Sequence, residues 1–557
     1  MISYRRKFQF YIILGVLGII LFIPVFAQAI SLGEERFFNI QSEYNLSGSS
    51  RINTQLIKIT NRLYFYAEKE WFNKVSYENK REIDNKIYNL SNEFEYRIYP
   101  ILTQSFGFED NPGIDNDSRI IIVLHRMKST IGGYIQTEDN YSSKIYPNSN
   151  EGQAIYLNAD NILQLSSNSL NYHLSHEFMH LITLKQNPNE ETWLNEARAE
   201  YTETLLNYEK DWDNSNLRSR IQQFLTSTKI SLLDWDNTNY DYAKVNLLTQ
   251  YIVEHYGINI LIDSLHSSQV GVDAINYALE KNGFSENFSD VFTNWLITNI
   301  VNDCSLGKKY CYTNPYLQNF SIFSYTYYLP TQGASSLSVT DSIKDWNAKW
   351  QKIAGGSGII KLKFTIPENT PIEKMPYIIE DLNSKKRVGF LDFSSVNIQE
   401  VYVKDMGSKN KAIYFIPFVG SKSQGNNIYY YSFEVKNLGN DSKIEEQAVE
   451  SLLQKIAELK RKIASLQIQL AMIKTNQSNS YCAVFSGDLY YGMNSLEVKC
   501  LQQFLANLGP KIYPEGLVTS YFGPLTQAAV KRYQALQGII TTGYFGPLTR
   551  AAANNKL

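Results

Sequence analysis

Ser169-Leu-Asn-Tyr-His-Leu-Ser-His-Glu-Phe-Met-His-Leu-Ile-Thr-Leu184 is the stretch on which the reading of this chain turns. It reads as one helix, capped by Ser169 and closed before Pro188. Inside it lie His176-Glu177-Phe178-Met179-His180. At about 3.6 residues per turn, two imidazoles four positions apart stand one above the other, with Glu177 beside them. Imidazoles so placed can share one tetrahedral zinc ion, and the glutamate can then take a proton from a water on that ion as it attacks a polarised carbonyl. The bland alternative is a polar helix face with two hydrogen-bonded histidines.

A catalytic zinc usually has three protein ligands and one open position. The third is read from Trp193-Leu-Asn-Glu-Ala-Arg-Ala-Glu200, a second helix entered from the polar loop 187–192. Glu196 follows His180 by sixteen residues, which leaves room for a turn and an antiparallel return to the metal. Glu200, one turn further on, faces the same way and is expected to accept the outer N–H of a ligating imidazole. His173 shares the face of His176 and is expected to be an outer or surface residue, not a ligand.

Outward from this core, Ile52 to Tyr99 has helical spacing and reads as a helical lead-in, within a segment placed at 30–110. Arg119–Leu124, Gly132–Ile135 and Gln153–Leu157 are short strand candidates just ahead of the motif. Asp110–Asp117 has turn chemistry; a calcium loop is the alternative, without EF-hand spacing. Helical patterns dominate from Leu170 to Val301, giving an α+β unit over 111–330. Alternating short strands over 337–438 predict an all-β sandwich. Residues 443–475 carry a heptad seam of Val449, Ile456, Ile463 and Leu470 with Leu452, Leu459, Leu466 and Ile473, a coiled coil able to form a homodimer or an intramolecular stalk. In 481–557, Tyr521-Phe-Gly-Pro-Leu-Thr526 recurs as Tyr544-Phe-Gly-Pro-Leu-Thr549, predicting a small three-helix unit whose threonines cap helices.

His-Glu-x-x-His followed by Trp-Leu-Asn-Glu resembles the gluzincin metallopeptidases, most closely those of the hyicolysin type, over about Arg119 to Gly257. The resemblance implies a zincin-like catalytic domain with zinc on His176, His180 and Glu196, and Glu177 as the general base. It also implies that Ala154–Leu157 is an edge strand holding the substrate backbone. Ala197-Arg198 departs from relatives that have glycine and an apolar residue there, which bears on the shape of the cleft. By analogy with gluzincin aminopeptidases, Tyr242 in Tyr242-Ala-Lys-Val245 is a candidate oxyanion donor, with Tyr240 as the alternative and an ordinary aromatic at a helix start as the plain reading. Cys482–Asn554 resembles the bacterial peptidoglycan-binding domain on Leu489, Gly492, Val498, Leu501-Gln502, Leu505, Ala529-Val530, Tyr533-Gln534, Gly543 and the two repeats. Tyr521 and Tyr544 are then either sugar-stacking residues or core aromatics.

Composition sets the frame. The 557 residues suggest several folded units, and 43% hydrophobic with 19% charged residues fits a globular protein. A net charge of -2 offers no basic field for a phosphate backbone, so nucleic acid is not an expected partner. Arg5, Arg6 and Lys7 precede the apolar run Phe8–Phe26 and Ala27-Gln28-Ala29, read as a signal peptide over 1–29 or an uncleaved membrane anchor. An exported chain, secreted or wall-associated, is the expectation. Cys304 with Cys311 and Cys482 with Cys500 are candidate disulfides, with free buried thiols as the alternative. The expected activity is zinc-dependent endopeptidase action on proteins or peptides; a peptidoglycan cross-bridge hydrolase and a non-catalytic wall-bound scaffold or adhesin are the competing readings.

Overall fold

The computed structural model describes residues 30–420, 427–439 and 484–557, with a few helical residues between 456 and 466. The chain divides into two compact units, one ending at Asn440 and one beginning at Asp441. The segment 1–29, the heptad residues Val449, Leu452, Leu470 and Ile473, and Cys482 lie outside the described residues. Ile456, Leu459, Ile463 and Leu466 are helical and exposed. Among the described residues no helix is long and apolar enough to cross a membrane.

The first unit opens with a six-stranded sheet, not with helices. Its strands are β1 (Glu35–Asn39), β2 (Arg51–Ile59), β3 (Leu63–Glu68), β4 (Ile120–His125), β5 (Gly133–Ile135) and β6 (Ala154–Asn158), in the order β1-β2-β3-β4-β6-β5. The expected helical lead-in is thus corrected over 51–68. Ile52, Thr54 and Leu56 are buried at every second position, the period of a strand, and Leu63–Ala67 is buried on both faces, as a central strand requires. Helix begins with a short turn over Lys69–Lys74 and continues in α1 (Tyr77–Glu93).

β3, β4 and β6 are mutually parallel, and β5 returns antiparallel along β6, pairing Gly133 with Leu157 and Ile135 with Ile155. The edge is therefore β5. Ala154–Leu157, expected at the edge, has both sides already paired, to β4 and β5. The loop between β5 and β6 is held by buried Asp139, which accepts from Tyr156 Oη at 2.6 Å and Asn150 Nδ2 at 3.0 Å. Asp110–Asp117 forms a turn, with Asn116 N bonded to Gly113 O and Asp117 N to Asp115 Oδ1.

The motif helix α2 (Ser167–Gln186) lies against this sheet. Ser166, not Ser169, caps it, accepting from Ser169 N at 3.2 Å. Its Leu174, Phe178, Met179 and Ile182 share a core with Phe65, Ile122, Ile155 and Leu157 and with Ile87, Leu90 and Phe94. Each such side chain contributes about 1.5–3 kcal/mol when fully buried, so the helix is fixed through the face opposite its histidines. Then follow α3 (Thr192–Leu205), α4 (Asn216–Phe224), α5 (Asn239–Tyr256) and α6 (Phe288–Val301).

A second sheet contains β8 (Tyr325–Leu329), β9 (Ser335–Lys344), β11 (Gln351–Gly355), β12 (Gly358–Thr365), β13 (Lys374–Asp381), β14 (Lys386–Asp392), β15 (Ile398–Met406), β16 (Asn410–Phe415) and β17 (Ile428–Gly439). Where alternation predicts a two-sheet sandwich, hydrogen bonding joins β14-β13-β16-β15-β12-β17-β9, with β11 linking β16 to β8, into one nearly closed sheet. Bulges at Gly358–Ile360 give the central strand its bend. Its interior is filled by Ile360, Leu362, Phe364, Phe415 and Phe433. Part of its outer face is covered: Trp346, Trp350, Ile378, Tyr414 and Phe418 join Phe224, Phe288, Phe292 and Trp295 in one cluster. The boundary expected near 330 is accordingly no boundary in packing. β7 (Lys229–Ser231) pairs with β10 (Asn347–Lys349) across the same seam. Cys304 and Cys311 are disulfide-bonded after α6, and Cys500 is disulfide-bonded in the second unit.

The second unit is built on α7 (Leu496–Asn507), α8 (Pro524–Leu536) and α9 (Pro547–Asn554). Pro524 and Pro547 stand at the first helical position, where no N–H is needed. Thr526 and Thr549 are not caps; each lies inside its helix and accepts from a buried glutamine amide. Gln502 Nε2 donates to Thr526 Oγ1 at 2.9 Å and Tyr521 O at 2.8 Å, and Gln534 Nε2 donates to Thr549 Oγ1 and Tyr544 O at the same distances. The repeat is therefore a repeated clamp, with Leu501-Gln502 and Tyr533-Gln534 supplying its inner half.

Candidate metal centre

α2 and α3 bring three ligand atoms together. His176 Nε2 and His180 Nε2 are 3.2 Å apart, and Glu196 Oε2 is 3.4 Å from the first and 3.6 Å from the second. Donors roughly 2.0–2.2 Å from a zinc ion in a tetrahedral site are about 3.3–3.6 Å from one another. The triangle has that size. Glu196 Oε2 is buried and takes no hydrogen bond, so the donor set fits a cation better than an apolar core. Burial opposes the charge on Glu196, but His180 and His176 outweigh it and hold the carboxyl below its usual range. Among the described residues this is the single group of three or more histidine, cysteine or carboxylate side chains with metal-binding spacing.

Each imidazole is oriented from behind. Asn195 Oδ1 stands 3.0 Å from His180 Nδ1. For His176 the expected direct partner, Glu200, is 4.0 Å away, and the hydroxyl of Tyr172 fills the gap. Tyr172 Oη is 3.3 Å from His176 Nδ1 and donates to Glu200 Oε1 at 2.9 Å. Glu200 is fully buried and also accepts from Arg220 Nε (2.9 Å) and Nη2 (2.7 Å), Asn216 Nδ2 (2.8 Å) and Asn246 Nδ2 (3.0 Å). Its burial resists ionisation, yet the Arg220 guanidinium brings its carboxyl down to about 2. A fixed anion thus sits behind one imidazole through a phenol. Tyr172→Phe is expected to weaken metal binding about 10–100-fold without unfolding the chain, as measured by chelator competition; unchanged affinity would make Tyr172 a packing residue only.

Glu177 is buried beside the triangle. Burial lifts its carboxyl to about 8, with His180 opposing and Glu196 adding to the rise. A side chain at Gly133 would come within 3.0 Å of Glu177 Oε1, so the glycine lets the β5 edge approach the carboxylate. Gly132 does the same for His173, whose ring would otherwise be met at 2.5 Å. His173 is outside the ligand triangle.

Tyr242 stands at the start of α5, its ring 5.0 Å below the Arg220 guanidinium and its hydroxyl donating to Asn237 Oδ1 at 2.7 Å. Burial raises its ionisation well above normal, and the carboxylates of Glu196, Glu177 and Glu200 raise it further, which puts the phenol in the field of the site. Tyr240 instead donates to the Lys229 carbonyl at 2.7 Å. Arg198 turns away from the site into the core, where its Nη1 is 2.7 Å from Glu190 Oε2 and its Nη2 donates to Ser264 Oγ at 2.9 Å.

Tyr172, Asn195, Asn216, Arg220 and Asn246 escaped the sequence reading. Tyr172 lies four residues before His176 and shares its face, a legible signal; Arg220 and Asn246 come from later helices with no local pattern.

Residues 494–553 match the family described as a peptidoglycan binding domain. The C-terminal unit is thus a peptidoglycan-binding domain, which points to association with the cell wall. No curated protein matches the chain. Solved structures with partial likeness include PliG, a periplasmic lysozyme inhibitor of g-type lysozyme, from Aeromonas hydrophila (11% identity, 20% of this chain and 97% of that one, TM-score 0.15). Another is the pre-peptidase C-terminal domain of a Bacillus anthracis collagenase (10% identity, 20% and 95%, TM-score 0.14). Likeness at that level bears on neither fold nor function.

Proposed function

We propose that the first unit is a zinc-dependent endopeptidase of the gluzincin kind, exported and kept at the cell wall by its C-terminal domain. The observation that supports this most is the buried triangle of His176 Nε2, His180 Nε2 and Glu196 Oε2 with Glu177 beside it. A zinc ion held there would supply Lewis acidity, polarising a scissile carbonyl and acidifying water. A cation in the triangle would draw the Glu177 carboxyl back toward its ionised form, and Glu177 then takes the proton from the attacking water and passes it to the leaving amine. The free edge of β5 offers backbone N–H and C=O groups to an extended peptide, the mode in which main-chain pairing gives affinity. Tyr242 is the candidate donor to the developing oxyanion.

The peptidoglycan-binding domain favours a second reading, in which the same centre cuts peptide cross-bridges of the wall. Purified chain is expected to contain one zinc per molecule by elemental analysis and to cleave casein, with activity abolished by a chelator and restored by zinc. Glu196→Ala is expected to lose the metal. A chain that binds no zinc would sink the proposal, and muropeptide release without casein cleavage would select the second reading.

A further inference from the structure

The two repeats of the C-terminal domain are alike inside and unlike outside. In each, an extended Tyr-Phe pair sends phenylalanine inward, with Phe522 and Phe545 fully buried, and leaves tyrosine outward, with Tyr521 and Tyr544 each 43% exposed. Neither tyrosine is a core residue. The Tyr544 ring lies over Gly546, where a Cβ would come within 2.4 Å of it, so the ring is held flat against the start of α9.

Only the second repeat is furnished with neighbours. Leu489 and Phe545 exchange backbone hydrogen bonds of 3.1 and 2.9 Å, which sets Tyr490 alongside Tyr544. The two rings are stacked, 28° from parallel with centroids 6.3 Å apart. Tyr490 and the adjacent Tyr491 are more than half exposed. Tyr544 Oη donates to Asp488 Oδ2 at 2.8 Å, and Asp488 is paired with Arg550. A polar rim with donors and acceptors thus borders two aligned aromatic rings. Tyr521 has no stacked ring among the described residues.

Aligned, rigid, exposed phenols beside a carboxylate and a guanidinium suit a ligand with apolar C–H faces and a hydroxylated edge. That is the chemistry of a pyranose. We infer that Tyr490 and Tyr544, with Asp488 and Arg550 at the rim, form the carbohydrate site of this domain and that it reads the glycan strand of peptidoglycan rather than the stem peptide. This rests on the peptidoglycan-binding assignment and is independent of the zinc centre.

The test uses the full chain carrying Glu177→Gln, sedimented with purified sacculi and, separately, with glycan strands stripped of stem peptides by an amidase. Tyr490→Ala and Tyr544→Ala are each expected to weaken binding to both materials about tenfold, a loss of about 1.4 kcal/mol. Tyr521→Ala is expected to bind as the parent does, and thermal melting checks that each variant is folded. Tyr544→Phe keeps the ring and is expected to retain most of the affinity, which separates stacking from a folding defect. Alanine variants that are folded and bind like the parent would overturn the site. Binding to sacculi that vanishes on stripped strands would overturn the glycan and assign the stem peptide instead. A parent chain that leaves sacculi unbound would remove the domain assignment and this site with it.

Discussion

A chain carrying Glu177→Gln is expected to keep one zinc per molecule while its casein-cleaving rate falls roughly 10²–10⁴-fold. The amide is nearly isosteric and does not belong to the triangle formed by His176, His180 and Glu196, so metal content should hold. What it removes is a proton acceptor. The geometry makes the loss specific: Glu177 is buried next to the ligands, with the Gly133 edge closing on its Oε1, so bulk water is a poor substitute for its carboxylate. Zinc content and initial rates measured on the same preparation decide the matter. A glutamine chain with full zinc and undiminished cleavage would remove Glu177 from the chemistry, and one without zinc would make it a structural support.

Arg198→Ala is expected to destabilise the first unit by about 3–5 kcal/mol, read as a lower urea midpoint. Arg198 is 1% exposed, and its partner Glu190 sits in the loop between α2 and α3. Removing the guanidinium leaves a carboxylate buried with no counter-charge, which costs more than the pair itself contributes. Glu190 also holds the loop to its surroundings, accepting from Gly271 N at 2.8 Å and Glu191 N at 2.9 Å. Replacing both partners, Arg198→Met with Glu190→Gln, should recover most of the loss because no unpaired charge remains. If the single and double replacements are equally unstable, the pair is not the source. The departure at Ala197-Arg198 is in this light a matter of how α3 is anchored, since the Arg198 side chain turns into the core.

The helix α2 was legible because one local rule, two histidines a turn apart with a glutamate between, sets both its shape and the side chains it brings together. Strands β4, β5 and β6 were legible from their β-branched and glycine-punctuated runs. β2 and β3 were not, because Ile52, Leu56, Ile59 and Leu63 satisfy helical spacing as readily as alternation, and only the parallel partner β4 decides between them. The nearly closed sheet misled for a related reason. Alternation marks faces, but whether two faces belong to two sheets or to one curled sheet depends on long-range pairing such as β11 with β16. At the site, Asn195 adjoins a ligand and Tyr172 lies one turn from one. Arg220 and Asn246 reach Glu200 from helices 20 and 46 residues away, beyond any local pattern.

The strand β17 ends at Gly439, the point where the first unit gives way to the chain leading toward the wall-binding domain. It lies between β12 and β9 and is hydrogen-bonded to both along most of its length. A pull on Gly439 directed along the axis of this strand would load both neighbours at once. It then meets two ladders in shear, whose bonds must break together, and not an edge that peels one bond at a time. Against a pull in that direction the C-terminal strand of the first unit is clamped on both sides.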